Sequence, residues 1–74
     1  MPCRVGITTN PERRKKEWQD EHPGLYDWEI IATYTNKSAA QERETREARS
    51  RGCKSGSGGG GPEYATWYVY YFRY

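Results

Sequence analysis

The sequence predicts an α+β fold in which two helices pack against a three-stranded, largely antiparallel sheet. Three segments with strand patterns alternate with two helical segments along a chain of 74 residues, a length that accommodates one domain. Aliphatic residues are few, but seven Tyr and three Trp supply large rings that can form a small aromatic core. We therefore expect a single domain over residues 1–74 in the order strand, helix, strand, helix, strand.

The first strand and the first helix follow each other closely at the start of the chain. Residues 4–8 include three β-branched residues and are predicted to form a short strand. Asn10 has the side chain of a good helix N-cap, and Pro11 suits the first helical position. The helix is expected to end at about Glu21, because Pro23 disfavours the helical conformation at the residue before it.

The second strand is predicted over residues 27–35. Its larger apolar side chains recur at every second position, which places them on one face of a strand. These side chains are Trp28, Ile30, Ala32 and Tyr34.

The second helix is predicted over residues 39–51, with two candidate N-caps. Ser38 and Gln41 have the spacing of a capping box, and Asn36 is the alternative N-cap. Gly52 is expected to end the helix, because glycine readily adopts the left-handed conformation common at helix C-termini.

The rest of the chain combines a glycine-rich loop with an aromatic strand. Residues 54–62 read Lys-Ser-Gly-Ser-Gly-Gly-Gly-Gly-Pro, and we expect a flexible loop because they bury no side chain to offset the entropy of ordering. Residues 63–74 have the strongest strand pattern, with aromatic residues on both faces. This strand is therefore expected to be covered on both faces or to lie at the centre of the sheet.

Composition bounds the location and the redox state of the chain. No segment approaches 18 consecutive apolar residues and the N-terminus does not resemble a signal peptide, so we expect a soluble, intracellular and cytoplasmic protein with no membrane partner. Cys3 and Cys53 are expected to be free thiols, because two cysteines without a secretion signal are seldom paired. Two Cys and a single His do not provide the Cys/His pattern of a zinc site.

Two charged residues are predicted to face inward from the helices. Trp18 is the only large apolar residue of the first helix, and Arg14 lies one turn before it on the same face. In the second helix, Glu44 stands between Ala40 and Ala48 in a row with a spacing of four. An arginine and a glutamate aimed at the sheet form a candidate site; the alternative is that they pair with each other at the edge of the domain.

Several short motifs resemble those of the GIY-YIG nuclease family. Residues 5–11, Val-Gly-Ile-Thr-Thr-Asn-Pro, followed by Arg13 and Arg14, are similar to the family's second motif strand and first helix, in which a Tyr-Ile-Gly strand precedes a Thr-Asn turn and a helix with an essential Arg. Residues 28–31 resemble the third strand, and residues 38–44 resemble the helix that carries the metal-binding Glu.

The resemblance departs from the family at two places. The family's opening Gly-Ile-Tyr strand does not fit before Val5, and residues 66–71 resemble it instead, with Tyr68 in the place of its tyrosine. The tyrosines are expected in the core and on the sheet surface, and the alternative is that Tyr68 or Tyr70 presents its phenol to a site. The order of the motifs implies a circularly permuted GIY-YIG-like fold. It also implies that residues 66–72 lie beside residues 3–8 in the sheet. Arg4 stands where the family has the tyrosine of Tyr-Ile-Gly.

The resemblance implies a metal-dependent endonuclease that cleaves a phosphodiester bond. Glu44 would bind Mg²⁺ or Mn²⁺, Arg14 would stabilise charge on the scissile phosphate, and Tyr68 would position or deprotonate water. The alternative is a non-catalytic module of the same fold that binds nucleic acid or a protein partner.

Nucleic-acid binding is expected to rest on basic residues. These are Arg4 in the first strand and Arg13, Lys15 and Lys16 in the first helix. DNA is the first expected partner and RNA the second. The alternative for Lys15 and Lys16 is an ordinary solvated helix face.

Overall fold

The computed structural model describes residues 2–56 and 60–74 and contains two helices and a four-stranded sheet. In chain order the elements are β1 (Cys3–Thr8), α1 (Pro11–Glu21), β2 (Tyr26–Tyr34), α2 (Lys37–Arg51), β3 (Lys54–Ser55) and β4 (Trp67–Arg73). The α+β class and both predicted helices are confirmed. Within the described residues, no helix is long and apolar enough to cross a membrane.

The sheet is mixed and has the strand order β2-β4-β1-β3. β4 is antiparallel to β1 and to β2, whereas β3 runs parallel to β1. The prediction of three strands is therefore wrong, because β3 adds a fourth. Its two residues are exposed and show no apolar alternation, so their sequence carries no strand signal. They join the sheet because the fold brings Lys54 and Ser55 alongside Arg4 and Val5.

β3 also lies within the loop predicted over residues 54–62. Lys54 and Ser55 belong to the sheet, and Gly56 donates its backbone N–H to the carbonyl of Val5 at 3.3 Å. The loop prediction is wrong for these first residues. Residues 57–59 of the predicted loop lie outside the described residues.

The C-terminal strand lies at the centre of the sheet, as its aromatic pattern predicts. It pairs with β1 along the whole of that strand, with Gly6 opposite Tyr70. The backbone N–H of Tyr74 also donates to the carbonyl of Pro2 at 3.0 Å. The expected proximity of residues 3–8 and 66–72 is confirmed.

One face of the sheet packs against α2. Directly paired residues point to the same face of a sheet, so Val5 and Tyr71 lie side by side, as do Ile7 and Val69. All four belong to one buried cluster with the small residues Ala40 and Ala48 of α2. The alanines allow the helix axis to come close to the strands, and this approach sets the position of every other residue on that helix face.

The opposite face carries aromatic side chains that hold α1. Phe72 is fully buried, and its ring centroid lies 5.3 Å from that of Trp18. At the end of the helix, the His22 ring stacks on Tyr74 with centroids 4.1 Å apart. The contacts that fix α1 are therefore aromatic, in agreement with the expected aromatic core.

The ends of α2 are set by Asn36 and Gly52. The Asn36 side chain accepts a hydrogen bond from the backbone N–H of Ala39 at 2.8 Å, so Asn36 is the N-cap and the helix begins two residues earlier than predicted. The predicted capping residue Ser38 instead donates its backbone N–H to the Glu63 carboxylate at 2.9 Å. Gly52 ends the helix with a left-handed φ of 68°, as predicted.

Cys3 and Cys53 form a disulfide, so the prediction of free thiols is wrong. The two cysteines are 50 residues apart in sequence. They meet because Cys3 begins β1 and Cys53 follows the glycine that ends α2, and α2 packs beside β1. This proximity is a property of the tertiary fold, and neither cysteine's local sequence indicates it.

Candidate functional site

Arg14 and Glu44, the two charged residues predicted to face inward, line the same cavity. It has a volume of about 270 Å³ and lies where α1, α2, β1 and β4 meet. The other residues that line it are Arg4, Gly6, Ile7, Trp18, Gly56 and Tyr70. This space, which we call the arginine–glutamate cavity, gathers two guanidinium groups, one carboxylate and one phenol.

Arg14 reaches the cavity because α1 is fixed in both position and rotation. The helix begins after Asn10, whose side chain accepts the backbone N–H of Arg13 at 3.1 Å, as predicted for an N-cap. Trp18 anchors the next turn on the sheet, and this directs Arg14 toward the same side. The ion pair of Arg14 is with Glu17, at 3.3 Å between Nη1 and Oε1, and not with Glu44.

Glu44 is buried, and one of its carboxylate oxygens has no hydrogen-bond partner among the described residues. It lies between Ala40 and Ala48 on the packed face of α2 and is only 5% exposed. Its Oε2 atom has no hydrogen-bond partner among the described residues. Burial raises the pKa of the Glu44 carboxyl to about 7, and the positive charge of Arg4 opposes this rise. A buried, unpartnered carboxylate beside a cavity is a common feature of functional sites.

Arg4 faces Glu44 from β1 and is held by an aromatic ring. The carbon of its guanidinium group lies 4.8 Å from the ring centroid of Trp18, in cation–π contact. Its Nε atom is buried and has no hydrogen-bond partner among the described residues. The cavity therefore contains an unpartnered donor on Arg4 as well as an unpartnered acceptor on Glu44.

The Tyr70 phenol extends across β1 at Gly6. A Cβ atom at Gly6 would overlap the hydroxyl end of the Tyr70 ring, so the ring requires glycine at this position. Trp18 donates its indole N–H to the Tyr70 hydroxyl at 2.9 Å. Burial raises the pKa of Tyr70, while this hydrogen bond and the nearby Arg14 lower it. The phenol remains protonated near neutral pH and has its own O–H to donate.

The tyrosine of this cavity is Tyr70, whereas the sequence resemblance assigns the catalytic role to Tyr68. Tyr68 pairs with Thr8 and is not among the described residues that line the cavity. The two tyrosines are two residues apart and share one face of β4, so the strand pattern alone does not separate them. The distinguishing signal is Gly6, because the residue opposite Tyr70 leaves room for a ring.

The other predicted nucleic-acid-binding residues lie along α1. Arg13 is 77% exposed and pairs with Glu17, with 3.5 Å between Nε and Oε2. Lys16 is exposed and Lys15 is half-buried. Arg13 and Arg14 both line a second cavity of about 270 Å³ beside the start of α1. Of the predicted basic residues, only Arg4 and Arg14 reach the arginine–glutamate cavity.

The described residues contain no group of three or more His, Cys, Asp or Glu that could hold a metal ion. Glu44 offers a single carboxylate, with Oε2 free of other hydrogen bonds. Mg²⁺ is commonly bound by one or two carboxylates, with waters and substrate phosphates as the remaining ligands. In that mode Glu44 would be the single carboxylate ligand, and water and a substrate phosphate would supply the others.

Comparison with known proteins finds no matching family model, no matching curated protein and no matching solved structure.

Proposed function

We propose that the protein is a metal-dependent endonuclease that cleaves a phosphodiester bond, with a GIY-YIG-like fold in circularly permuted order. The observation that carries this proposal is the convergence of Arg14, Glu44 and Tyr70 on one cavity. The permuted order is supported by the position of β4, which pairs with β1 as an opening strand of the motif would. DNA is the first expected substrate and RNA the second.

Each side chain has a role that follows from its chemistry. Arg14 binds non-bridging oxygens of the phosphate and stabilises the charge that develops there during cleavage. Glu44, whose carboxylate has an unpartnered oxygen, would hold Mg²⁺ or Mn²⁺. A divalent cation, when bound, polarises the phosphate and acidifies water. Tyr70 is protonated and orients water or phosphate by donating a hydrogen bond, so it is not the group that removes a proton.

A second candidate function is that of a non-catalytic module that binds nucleic acid. The observation in its favour is Arg4, which occupies the motif tyrosine's position and lines the cavity. A guanidinium group stays protonated in proteins and cannot accept a proton from water. A module of this kind would bind DNA or RNA through phosphate contacts that weaken steeply as salt rises, without cleavage.

The two functions are separated by the Glu44→Gln variant. With supercoiled plasmid DNA and Mg²⁺ or Mn²⁺, we expect cleavage to fall by at least about 100-fold, because the metal ligand is lost. Binding of a labelled DNA duplex in EDTA, measured by fluorescence anisotropy, should change by less than about twofold, because the phosphate-binding arginines remain. Glu42→Gln is the matched control, since Glu42 is exposed on the same helix.

Three results would contradict the enzyme assignment or the role of Glu44. Wild-type protein that binds the duplex but cuts no DNA or RNA with either metal is a binding module. Cleavage by Glu44→Gln at the wild-type rate excludes Glu44 as the metal ligand. Equal loss of cleavage in Glu42→Gln assigns the effect to the helix rather than to the site.

A further inference from the structure

We propose that Arg4 is a second phosphate-binding arginine of the arginine–glutamate cavity, and that Arg4 and Arg14 together hold a nucleic-acid phosphate without a metal ion. The inference rests on the proposed function for the nature of the ligand, but it concerns binding and does not require cleavage. The two arginines come from different elements, β1 and α1, and line the same space.

Trp18 keeps the Arg4 guanidinium group in place before a ligand arrives. The indole ring supports the face of the guanidinium at 4.8 Å, and its N–H is donated to Tyr70. A guanidinium group stacked on a ring keeps its N–H donors free at its edge, and this edge matches two oxygens of a phosphate. The buried Nε of Arg4 is a donor of this kind and has no acceptor among the described residues.

Arg4 acts on Glu44 through its charge, but it is not ion-paired with that carboxylate and leaves the Glu44 Oε2 atom without a hydrogen bond. The ion pairs of the described residues do not include one between Arg4 and Glu44. Arg4 Nε and Glu44 Oε2 are both buried and both unpartnered, although the two side chains line one cavity. A third group between them, with an acceptor for the arginine, satisfies the orphaned donor.

The charges of the cavity favour an anion. Two guanidinium groups and one carboxylate line the space, and Arg14 is also ion-paired with Glu17. Arg4 has no ion pair among the described residues, and a phosphodiester carries the single negative charge that matches it. A Cβ atom at Gly56 would come to 3.1 Å from Arg4 Nη1, so the opposite wall is close to the guanidinium and limits its movement.

The test measures binding of inorganic phosphate and of a short DNA duplex to the metal-free protein in EDTA. We expect Arg4→Gln to weaken both affinities by at least about tenfold, the effect of losing charge-assisted hydrogen bonds. Arg4→Lys should recover only part of the loss, because it keeps the charge without the planar fork. Arg46→Gln removes an exposed arginine of α2 and should leave both affinities within about twofold.

A second measurement on the wild-type protein covers the case in which Arg4→Gln does not fold. The Arg4 Nε–H resonance in a ¹⁵N correlation spectrum should shift as phosphate is added, while that of Arg46 stays in place. A stationary Arg4 signal, or wild-type affinity in a folded Arg4→Gln variant, overturns the inference. Phosphate binding that requires Arg4 in a protein that cuts no nucleic acid supports the inference and refutes the endonuclease. Cleavage of DNA by Arg4→Gln with an unchanged KM supports the endonuclease and overturns the inference about Arg4.

Discussion

At the scale of single residues, Glu44 stands out because it costs stability where it lies. The Glu44 carboxyl group is 5% exposed and has an unpartnered oxygen. The folded protein is therefore less stable than it would be with an apolar side chain of similar size in the same place. Ala40 and Ala48, its neighbours on the same helix face, show that small apolar residues fit there. The packing of α2 does not explain the acid, whereas the proposed metal site does.

The burial of Glu44 predicts a pH dependence of stability. Its pKa rises from an ordinary 4.5 to about 7 on folding, so between these values the folded protein retains a proton that the unfolded chain has lost. The free energy of unfolding should then fall by up to about 3 kcal/mol from pH 4.5 to pH 7 and stay level above. Urea unfolding of the metal-free protein, compared with Glu44→Gln at each pH, isolates this contribution.

The control for this pH dependence is Glu42→Gln, which should keep the wild-type profile because Glu42 is exposed. Parallel profiles for the wild type and Glu44→Gln would mean that the carboxyl group has the same pKa folded and unfolded. That result would contradict the conclusion that burial raises the pKa of Glu44.

The site residues also show how far the sequence predicts chemistry. The spacing of four residues between Arg14 and Trp18, and the row around Glu44, correctly place both charges on inward faces. Choosing between Tyr68 and Tyr70 requires the register of β4 against β1, which brings Gly6 opposite Tyr70. Register depends on contacts between distant segments, so a local pattern does not contain it.

At the scale of elements, boundaries were predictable where local side chains determine them. α1 runs over Pro11–Glu21, as expected from Asn10 before it and Pro23 after it. β3 could not be predicted, because two exposed residues join the sheet only after the chain around them has folded. Glu63, 25 residues after Ser38, accepts the backbone N–H of Ser38 in the first turn of α2, and this contact is not contained in the local sequence.

The cap assignment of α2 gives a prediction at this scale. Asn36→Ala should lower the free energy of unfolding by about 1 kcal/mol, because the backbone N–H of Ala39 loses its acceptor. Ser38→Ala should cost less than about 0.5 kcal/mol, because the Ser38 hydrogen bond uses its backbone N–H, which alanine keeps. Urea unfolding of both variants measures the difference. An equal or larger loss of unfolding free energy in Ser38→Ala would support the predicted capping box of Ser38 and Gln41 instead.

At the scale of the whole molecule, the fold joins distant parts of the chain through β1. This strand pairs with β4 on one side and with β3 on the other. The disulfide connects its first residue to Cys53, and Arg4, the next residue, lines the arginine–glutamate cavity. The covalent link and the candidate site therefore meet at the start of β1.

The disulfide predicts that the stability of the whole domain depends on oxidation. Cys3 and Cys53 close a segment with a sequence separation of 50 residues, for which the loss of chain entropy in the unfolded state contributes about 4 kcal/mol. A single domain of this size has only about 3–5 kcal/mol in total. A thiol reductant should therefore lower the midpoint of urea unfolding strongly. The variant with Cys3→Ser and Cys53→Ser should unfold at the reduced midpoint whether or not reductant is present.

Reduction of the disulfide should first loosen the end of the arginine–glutamate cavity next to β3. β3 has exposed side chains and pairs with β1 over two residues, so without the disulfide little else holds it. The Gly56 N–H, bonded to the Val5 carbonyl, should exchange with solvent faster than the N–H groups that join β1 to β4. Hydrogen exchange in the presence and absence of reductant measures this difference. An unchanged Gly56 rate and an unchanged unfolding midpoint would together mean that the tertiary packing of α2 against β1, and not the covalent bond, holds this edge.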